Sequence, residues 1–293
     1  MADVADLADA RIKFDRAEEH LRSLKAKTIE WGKPYTEAQP IYFGRDGEWH
    51  TVNSVPGPAP NPVLAAIAGD FINNLRCVLD YLVWQAVLRE GEQPDQRHSF
   101  PIHEREEEWV AKVQLSYRKR QKSPLFGIPV DGDAWTVIKE AQPYKRSPTN
   151  PFTDPLAVLQ RLSNADKHRA LPPQFTFPSL VSLLSVIGWS DEVSLVQQRY
   201  VARPLSLEAP TELIALRFAP PETDPGMHMK GKLGLNPTFG EQGIKARSGP
   251  IPGRKLVYGT QASIFGGTDE MVRVVREVVE ALAALPNVTG WSS

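Results

Sequence analysis

The sequence has few features that cross-link a protein or attach it to a membrane. Cys77 is the only cysteine among 293 residues, so the chain forms no internal disulfide, and no Cys/His pair has zinc-ligand spacing. No uninterrupted apolar run approaches the roughly 18–20 residues of a membrane span. The opening MADVADLADA lacks the basic and apolar segments of a secretory signal. We therefore expect a cytoplasmic protein with no metal and no membrane partner.

An excess of one charge is lacking as well. The 34 Lys and Arg residues nearly balance 35 Asp and Glu, and the net charge of −1 argues against a globally basic nucleic-acid binder. A local basic face remains open, and the run at 118–122 (Arg-Lys-Arg-Gln-Lys) is the best such site for RNA or an acidic partner. Motifs of serine hydrolases, zinc proteases and P-loop proteins are absent, so no cofactor is expected.

Apolar spacing predicts a helical N-terminal part. Residues 5–28 carry a seam of apolar side chains three and four apart: Leu7, Ala10, Phe14, Ala17, Leu21 and Leu24. The seam packs on another helix of this chain or, alternatively, forms a homodimer through the N-terminal helix. Residues 62–89 give the strongest helix, with Pro62 in its first turn. Further helices are predicted at 104–120, 133–140, 154–169 and 269–285, the last with Thr268 as its N-cap.

Strand signals dominate after Pro172-Pro173. The segments there are short, β-branched or alternating, and separated by Gly, Pro and Asp: 179–189, 193–201, 211–218, 227–235 and 255–265. An earlier hairpin is predicted at 40–54, around the tight-turn pair Asp46-Gly47. The sequence thus predicts an α+β fold in one compact unit. A helical region, 1–171, packs on an antiparallel β-sheet, and a C-terminal helix closes the second region, 172–293.

The first polar motif lies on the strongest helix. Four side chains at steps of three, three and four share one helical face: Asp70, Asn73, Arg76 and Asp80. Asn74 lies beside them. Asp and Asn are poor helix formers, which indicates a specific task for them. In the structural interpretation Arg76 pairs with Asp80 and bonds a nearby loop. In the functional interpretation these residues bind a ligand.

A second polar motif ends the helix predicted at 154–169. Its side chains offer an acid, a base, two fixed cations and an amide: Asp166, His168, Lys167, Arg169 and Asn164. The structural interpretation sets the cations against the negative end of the helix dipole, but the mixture exceeds what capping requires. A third motif, Gln142-Pro143-Tyr144, places a phenol in a turn, where it usually anchors packing with its hydroxyl bonded to backbone.

Taken in order, the motifs resemble those of a family of uncharacterised bacterial proteins. Members of that family often read N-L-R-x-x-L-D-H, Q-P-Y and D-K-H-R, which segments 74–80, 142–144 and 166–169 match here. The resemblance covers roughly residues 62–171 and also includes Gly69-Asp70, Phe100-Pro101-Ile102 and Asn164. Tyr81 stands where the family has histidine. The first motif is also similar to the Arg-x(4–6)-His signature of HEPN-type ribonucleases, helical proteins of toxin and defence systems that cleave RNA without metal. Of three Arg/His pairs with that spacing here, only Arg161 and His168 fall on a predicted helix.

The ordered motifs lead to one hypothesis for a site. We expect them to converge in a polar pocket between helices, where Arg76, Lys167 and Arg169 hold an anionic group. His168 exchanges a proton there, and Asp80 or Asp166 orients it. The remaining polar residues complete the pocket: Asp70, Asn73, Asn74, Tyr144 and Asn164. Because buried charges need partners, Arg76 is expected to face Asp166, and Asp80 to face one of the cations that follow Asp166.

Two functions follow from such a site. One is a binding or regulatory protein for a small anionic ligand. The other is a metal-independent, HEPN-like ribonuclease in which Arg76, Asp80 and His168 are catalytic and RNA is the partner. An exposed His168 in a cleft favours catalysis, whereas a buried and hydrogen-bonded His168 favours a structural role.

Overall fold

The computed structural model describes most of the helical part and shorter stretches of the rest. The described residues are 5–37, 41–55, 61–118, 123–167, 173–176, 184–185, 187–200, 210–230, 236–239, 245–248, 255–258 and 262–291. They form helices in the N-terminal part, mostly antiparallel sheets, and a further helix after the last sheet. The α+β class predicted from the sequence is confirmed.

The helix α2 (Pro62–Arg89) lies at the centre of the helical part. It begins where the sequence predicts, because Asn61 caps its first turn by accepting from the Val63 N–H (3.0 Å), and Pro62 needs no donor there. Among the described residues, α2 is the one helix long and apolar enough to cross a membrane. Buried core helices share that property, and half of its most apolar window is buried inside the protein.

The helix α1 (Ala8–Glu37) packs along α2 and continues beyond the predicted end at residue 28. Its apolar seam explains the extension, because Thr28 is buried and Trp31 packs against the core. The six seam residues predicted from the sequence are between 0% and 6% exposed inside this one chain. They are therefore not available to a seam between two copies.

Shorter helices follow α2: α3 (Glu106–Trp109), α4 (Leu115–Arg118), α5 (Asp133–Glu140), α6 (Pro143–Arg146), α7 (Pro155–Asp166) and α8 (Gly267–Ala283). A π-helical turn, Val110–Gln114, joins α3 to α4, so the helix predicted at 104–120 is interrupted. A 3-10 turn, Pro151–Thr153, precedes α7. The prediction that Thr268 caps α8 is wrong, because its hydroxyl donates to the Ile264 carbonyl (2.7 Å) and the capping position is Gly266.

The described strands form a four-stranded sheet and smaller ladders. Their bounds are β1 (Ala5–Asp6), β2 (Ile41–Asp46), β3 (Trp49–Ser54), β4 (Pro173–Thr176), β5 (Ile187–Gly188), β6 (Ser194–Tyr200), β7 (Thr211–Ala219), β8 (His228–Met229), β9 (Asn236–Phe239), β10 (Lys245–Ser248), β11 (Lys255–Tyr258), β12 (Ala262–Ser263) and β13 (Val288–Thr289). The main sheet has the order β2–β3–β7–β6 and is antiparallel. The smaller ladders are β12–β9–β4, β5–β8, β10–β11 and the parallel pair β1–β13.

Buried apolar residues form two cores. The larger core lies between α1, α2, α5, α7 and α8, and the smaller one, which includes Val52, Ile214 and Phe218, lies against the main sheet. Trp31 of α1 packs against both. The C-terminal helix therefore closes the helical core, and the hairpin at 41–54 belongs to the sheet. Each core draws on both halves of the sequence.

Candidate functional site

Arg76 and Asp80 of α2 hold the backbone of a neighbouring loop. They lie one turn apart, and Arg76 Nη2 is 2.9 Å from Asp80 Oδ1. Arg76 Nη2 also donates to the Phe100 carbonyl (2.7 Å), while Asp80 Oδ1 accepts from the Phe100 N–H (2.8 Å). One ion pair thus satisfies both backbone polar groups of Phe100, the arrangement that the structural interpretation of this motif predicts.

Burial acts on both charges of this pair. Only 12% of the Arg76 side chain is exposed, and burial lowers the pKa of its guanidinium, opposed by Asp80. Burial raises the pKa of Asp80, opposed mainly by Arg76 and by the Phe100 N–H. Lys167, just beyond α7, lowers the pKa of Asp80 as well. Arg76 Nη1 is buried and has no hydrogen-bond partner among the described residues.

The Gln142-Pro143-Tyr144 motif holds the same loop. Gln142 is fully buried just before α6, and its Nε2 donates to the carbonyls of Pro101 (2.8 Å) and Ile138 (2.9 Å). Its Oε1 accepts from the His103 N–H (2.9 Å). The first and third polar motifs therefore meet at residues 100–103, which they clamp between α2 and α6.

Tyr144 does not join this clamp. It is half-buried in α6 and packs on the helical core, and its hydroxyl is buried without a hydrogen-bond partner in the described ranges. Burial, together with the carboxylates of Glu106 and Glu140, raises the pKa of Tyr144 above its ordinary value, so the phenol stays protonated. The residue anchors packing as expected, but the expected bond from its hydroxyl to backbone is not found.

Asp166, the last residue of α7, packs against α2 at Gly69. A Cβ placed on Gly69 would stand 2.7 Å from Asp166 Oδ1 and 2.9 Å from Oδ2, so the carboxylate lies where any other side chain would begin. Burial, and secondly the charge of Asp70, raises the pKa of Asp166. The pair expected between Arg76 and Asp166 is not formed, since Arg76 pairs with Asp80.

The charges of three cations act on the thiol of α2. Cys77 is half-buried, and burial raises its pKa. Lys13 of α1, Arg76 and Lys167 oppose that rise, whereas Asp80 adds to it. We call Lys13, Arg76 and Lys167 the cation cluster. Sequence analysis missed Lys13, although its position at the border of the apolar seam of α1 is a signal that could have indicated it.

Two further polar residues of the motifs, Asn74 and Asn164, hydrogen-bond within their own helices. Asn74 Nδ2 donates to the Asp70 carbonyl (2.8 Å), and Asn164 Oδ1 accepts from Gln160 Nε2 (3.2 Å). Asp70, Asn73 and Asn164 are exposed. The described ranges contain no group of three His, Cys, Asp or Glu side chains that could hold a metal ion.

His168, Arg169 and the basic positions 119–122 lie outside the described residues. Arg161, the partner of His168 in the HEPN-like spacing, is described. Its guanidinium contacts the Glu104 carboxylate and donates to the Phe152 carbonyl (2.5 Å). These contacts tie α7 to two neighbouring loops, a structural role that accounts for an arginine at this position.

Comparisons with known proteins assign no function to the site. A scan against protein-family models, a search of curated proteins and a search of solved structures each found no match for the chain. The geometry and charge of the site are therefore the basis on which its function is inferred.

Proposed function

We propose that this chain is a cytoplasmic bacterial binding or regulatory protein that binds a small oxyanion at the cation cluster. The observation that carries the proposal is that Lys13 and Lys167, from different helices, both lower the pKa of Cys77 through their charge. Neither ammonium has a carboxylate partner among the described residues. The resemblance to a bacterial family and the single, half-buried thiol support the bacterial and cytoplasmic parts of the proposal.

The balance of charge near Cys77 favours an anion. Three cations act there against one carboxylate, Asp80, which is already bound to Arg76. Like charges in one place repel each other, and an oxyanion would offset that repulsion. Lys13 and Lys167 would supply the contacts, because the Nη atoms of Arg76 are occupied or buried.

The protonation state of the thiol favours binding over catalysis. A nucleophilic cysteine needs a lowered pKa, whereas burial raises that of Cys77. Asp80 is committed to Arg76 and to the Phe100 N–H, so it is not a free base. The described part of the site thus offers positive charge without an activated nucleophile.

Alkylation of Cys77 tests the proposal directly, because the chain has no other thiol. Sulfate or orthophosphate should slow the reaction of the native protein with iodoacetamide, an uncharged reagent, and the effect should saturate. An anion at the cluster blocks the thiol and disfavours its ionisation. Chloride at equal ionic strength controls for screening. The anion concentration at half-protection gives the apparent affinity.

Matched lysine variants locate the binding site. Lys13→Gln and Lys167→Gln should each weaken protection about tenfold, or ~1.4 kcal/mol. Lys27→Gln removes the same charge from an exposed position of α1 and should leave protection unchanged. Equal protection in all three variants and the wild type would reject the cluster as the site.

RNA is the probe for the opposing outcome, a metal-independent ribonuclease. In that case His168→Ala abolishes RNA cleavage while the melting temperature stays nearly unchanged, and Lys13→Gln has little effect on cleavage. This pattern would replace anion binding by catalysis as the function of the helical part.

A further inference from the structure

We infer that the surface of α2 beside the cation cluster binds the base of a nucleotide whose phosphate lies at the cluster. The base stacks on Tyr81 and Trp84, which follow Cys77 by one and two turns of α2. This inference rests on the proposed function, and it names the class of ligand that carries the oxyanion, a nucleoside monophosphate.

Tyr81 and Trp84 lie on the same exposed face of α2 as Cys77. Steps of four and seven residues return to nearly the same direction around a helix, about 6 Å and about 10 Å along its axis. Side chains on a helix lean towards its N-terminus, so both rings lean towards the thiol. Tyr81 is 36% and Trp84 39% exposed. Two aromatic rings therefore reach solvent next to the cations that act on Cys77.

Neither ring has a partner in the described part of the chain. Arginines lie over several other rings of the protein: Arg11 over Trp291, Arg97 over Phe126, Arg199 over Trp49 and Arg276 over Phe14. Tyr81 and Trp84 have no such cation, no ring contact and no hydrogen bond among the described residues. The exposed faces of these two rings are therefore available to a ligand.

The packing of α1 places Lys13 level with the thiol. The Asp6 N–H donates to Gln85 Oε1 (3.0 Å), so the N-terminal end of α1 lies at the C-terminal end of α2. The two helices pack along each other and are therefore antiparallel. Lys13 follows Asp6 by seven residues, which brings it level with the residues about seven before Gln85, beside Cys77.

The charges along α2 set the direction in which a ligand extends from the cluster. Towards the N-terminus of α2, the surface carries the carboxylates of Asp70 and Asp166, which repel an anion. Towards its C-terminus, the same face carries the two aromatic rings. A phosphate held by the ammonium groups that act on Cys77 therefore directs its uncharged, aromatic part towards Tyr81 and Trp84.

A nucleotide matches each part of this surface. Its phosphate is an oxyanion, its base is flat and aromatic, and the sugar between them carries hydroxyls. Asp9 lies one turn before Lys13 on α1 and offers a carboxylate of the kind that accepts hydrogen bonds from ribose in other nucleotide sites. Every base has a face that stacks on an aromatic side chain, so we expect little discrimination among the bases.

The experiment compares three ligands in the alkylation of Cys77 by iodoacetamide: orthophosphate, ribose 5-phosphate and AMP, at constant ionic strength. AMP should reach half-protection at a concentration about tenfold lower than ribose 5-phosphate, because only AMP has a base to stack. Orthophosphate and ribose 5-phosphate should be alike. A 5′-phosphorylated trinucleotide offers the same phosphate and base, and half-protection well below the AMP concentration would replace the free nucleotide by the end of a nucleic acid.

Matched variants locate the base. The double variant Tyr81→Ala with Trp84→Ala should raise the half-protecting concentration of AMP to that of ribose 5-phosphate, which itself stays unchanged. Tyr81→Phe keeps the ring and should keep the preference for AMP. Tyr42→Ala removes an exposed tyrosine from β2 and should behave as the wild type. The ratio of two ligands on the same variant cancels any change in the reactivity of the thiol.

Equal half-protection by AMP and ribose 5-phosphate in the wild type would overturn this inference and leave oxyanion binding intact. A preference for AMP that survives the double variant would place the base elsewhere and overturn it as well. Protection by AMP without protection by orthophosphate rejects only the proposed small oxyanion and retains the nucleotide surface. Protection by none of the three ligands rejects both proposals.

Discussion

Asp80 of α2 and Asp166 of α7, which packs against α2, differ in how their negative charges are compensated. Burial raises the pKa of each. Asp80 is compensated by Arg76 and by the Phe100 N–H, whereas Asp166 meets the like charge of Asp70. Asp80 is thus held in a hydrogen-bonded network, whereas Asp166 is partly exposed and has no ion pair among the described residues. Asp80 therefore fixes a loop, whereas Asp166 packs against Gly69 without a compensating charge in the described part of the chain.

Of the substitutions that test this contrast, Arg76→Ala should change the free energy of unfolding most. Arg76→Ala leaves Asp80 without its cation and the Phe100 carbonyl without its donor, and should lower the free energy of unfolding in urea by about 3 kcal/mol. The figure is at the low end for buried pairs because the Asp80 side chain is 36% exposed. The control Arg16→Ala breaks an exposed pair with Glu19 and should cost no more than ~0.5 kcal/mol.

Double-mutant cycles measure which of the two carboxylates interacts with Arg76. Arg76→Ala and Asp80→Ala should be coupled by about 1–2 kcal/mol, because the two side chains touch. Arg76→Ala and Asp166→Ala should be additive to within ~0.5 kcal/mol. Strong coupling between Arg76 and Asp166 would restore the pairing expected from the sequence and remove the contrast between the two carboxylates.

Gln142→Leu should have an intermediate effect. It removes the donor for the Pro101 and Ile138 carbonyls and the acceptor for the His103 N–H, all in a fully buried place. Urea titration should show a loss of about 2 kcal/mol. Gln160→Leu is the matched control, because the bond that Gln160 makes among the described residues goes to an exposed amide in its own helix. A similar loss in both variants would mean that the clamp on residues 100–103 adds little.

Gly69→Ala should have the smallest effect, and its sign should depend on Asp166. With Asp166 present, the added Cβ displaces the carboxylate and should lower stability by about 1 kcal/mol. In an Asp166→Ala background, the same change should raise stability by about 1 kcal/mol, since alanine is the better helix former. Thermal unfolding near pH 7 measures both. The same sign in both backgrounds would show that the carboxylate moves aside without cost.

Local signals account for what the sequence predicts correctly. The cap at Asn61 and the proline after it define the start of α2, and the spacing of one turn is enough to pair Arg76 with Asp80. The hairpin at 41–54 follows from its Asp-Gly turn and alternating side chains. In each case the partners lie within a few residues of one another.

Contacts between distant segments account for the rest. β3 pairs with β7, with Val52 opposite Ile214, and local periodicity does not select that partner. The spacing of residues on α2 likewise does not reveal that the loop at Phe100 is the one clamped. The approach of Asp166 to Gly69 is also long-range, although a glycine inside a helical pattern is a general signal of close packing.

The parallel pair of β1 and β13 closes a loop that spans almost all of the described residues. Thr289 Oγ1 donates to the Ala5 carbonyl (3.3 Å) across 284 positions, and Trp291 packs edge-on against Phe14 with 5.5 Å between ring centroids. Bringing segments so far apart together costs about 5 kcal/mol of chain entropy if nothing shortens the loop first. We therefore expect the pair to form after the long helices have docked. In a chain made from its N-terminus, Phe14 of α1 can gain its contact with Trp291 only after nearly all of the described residues have been synthesised.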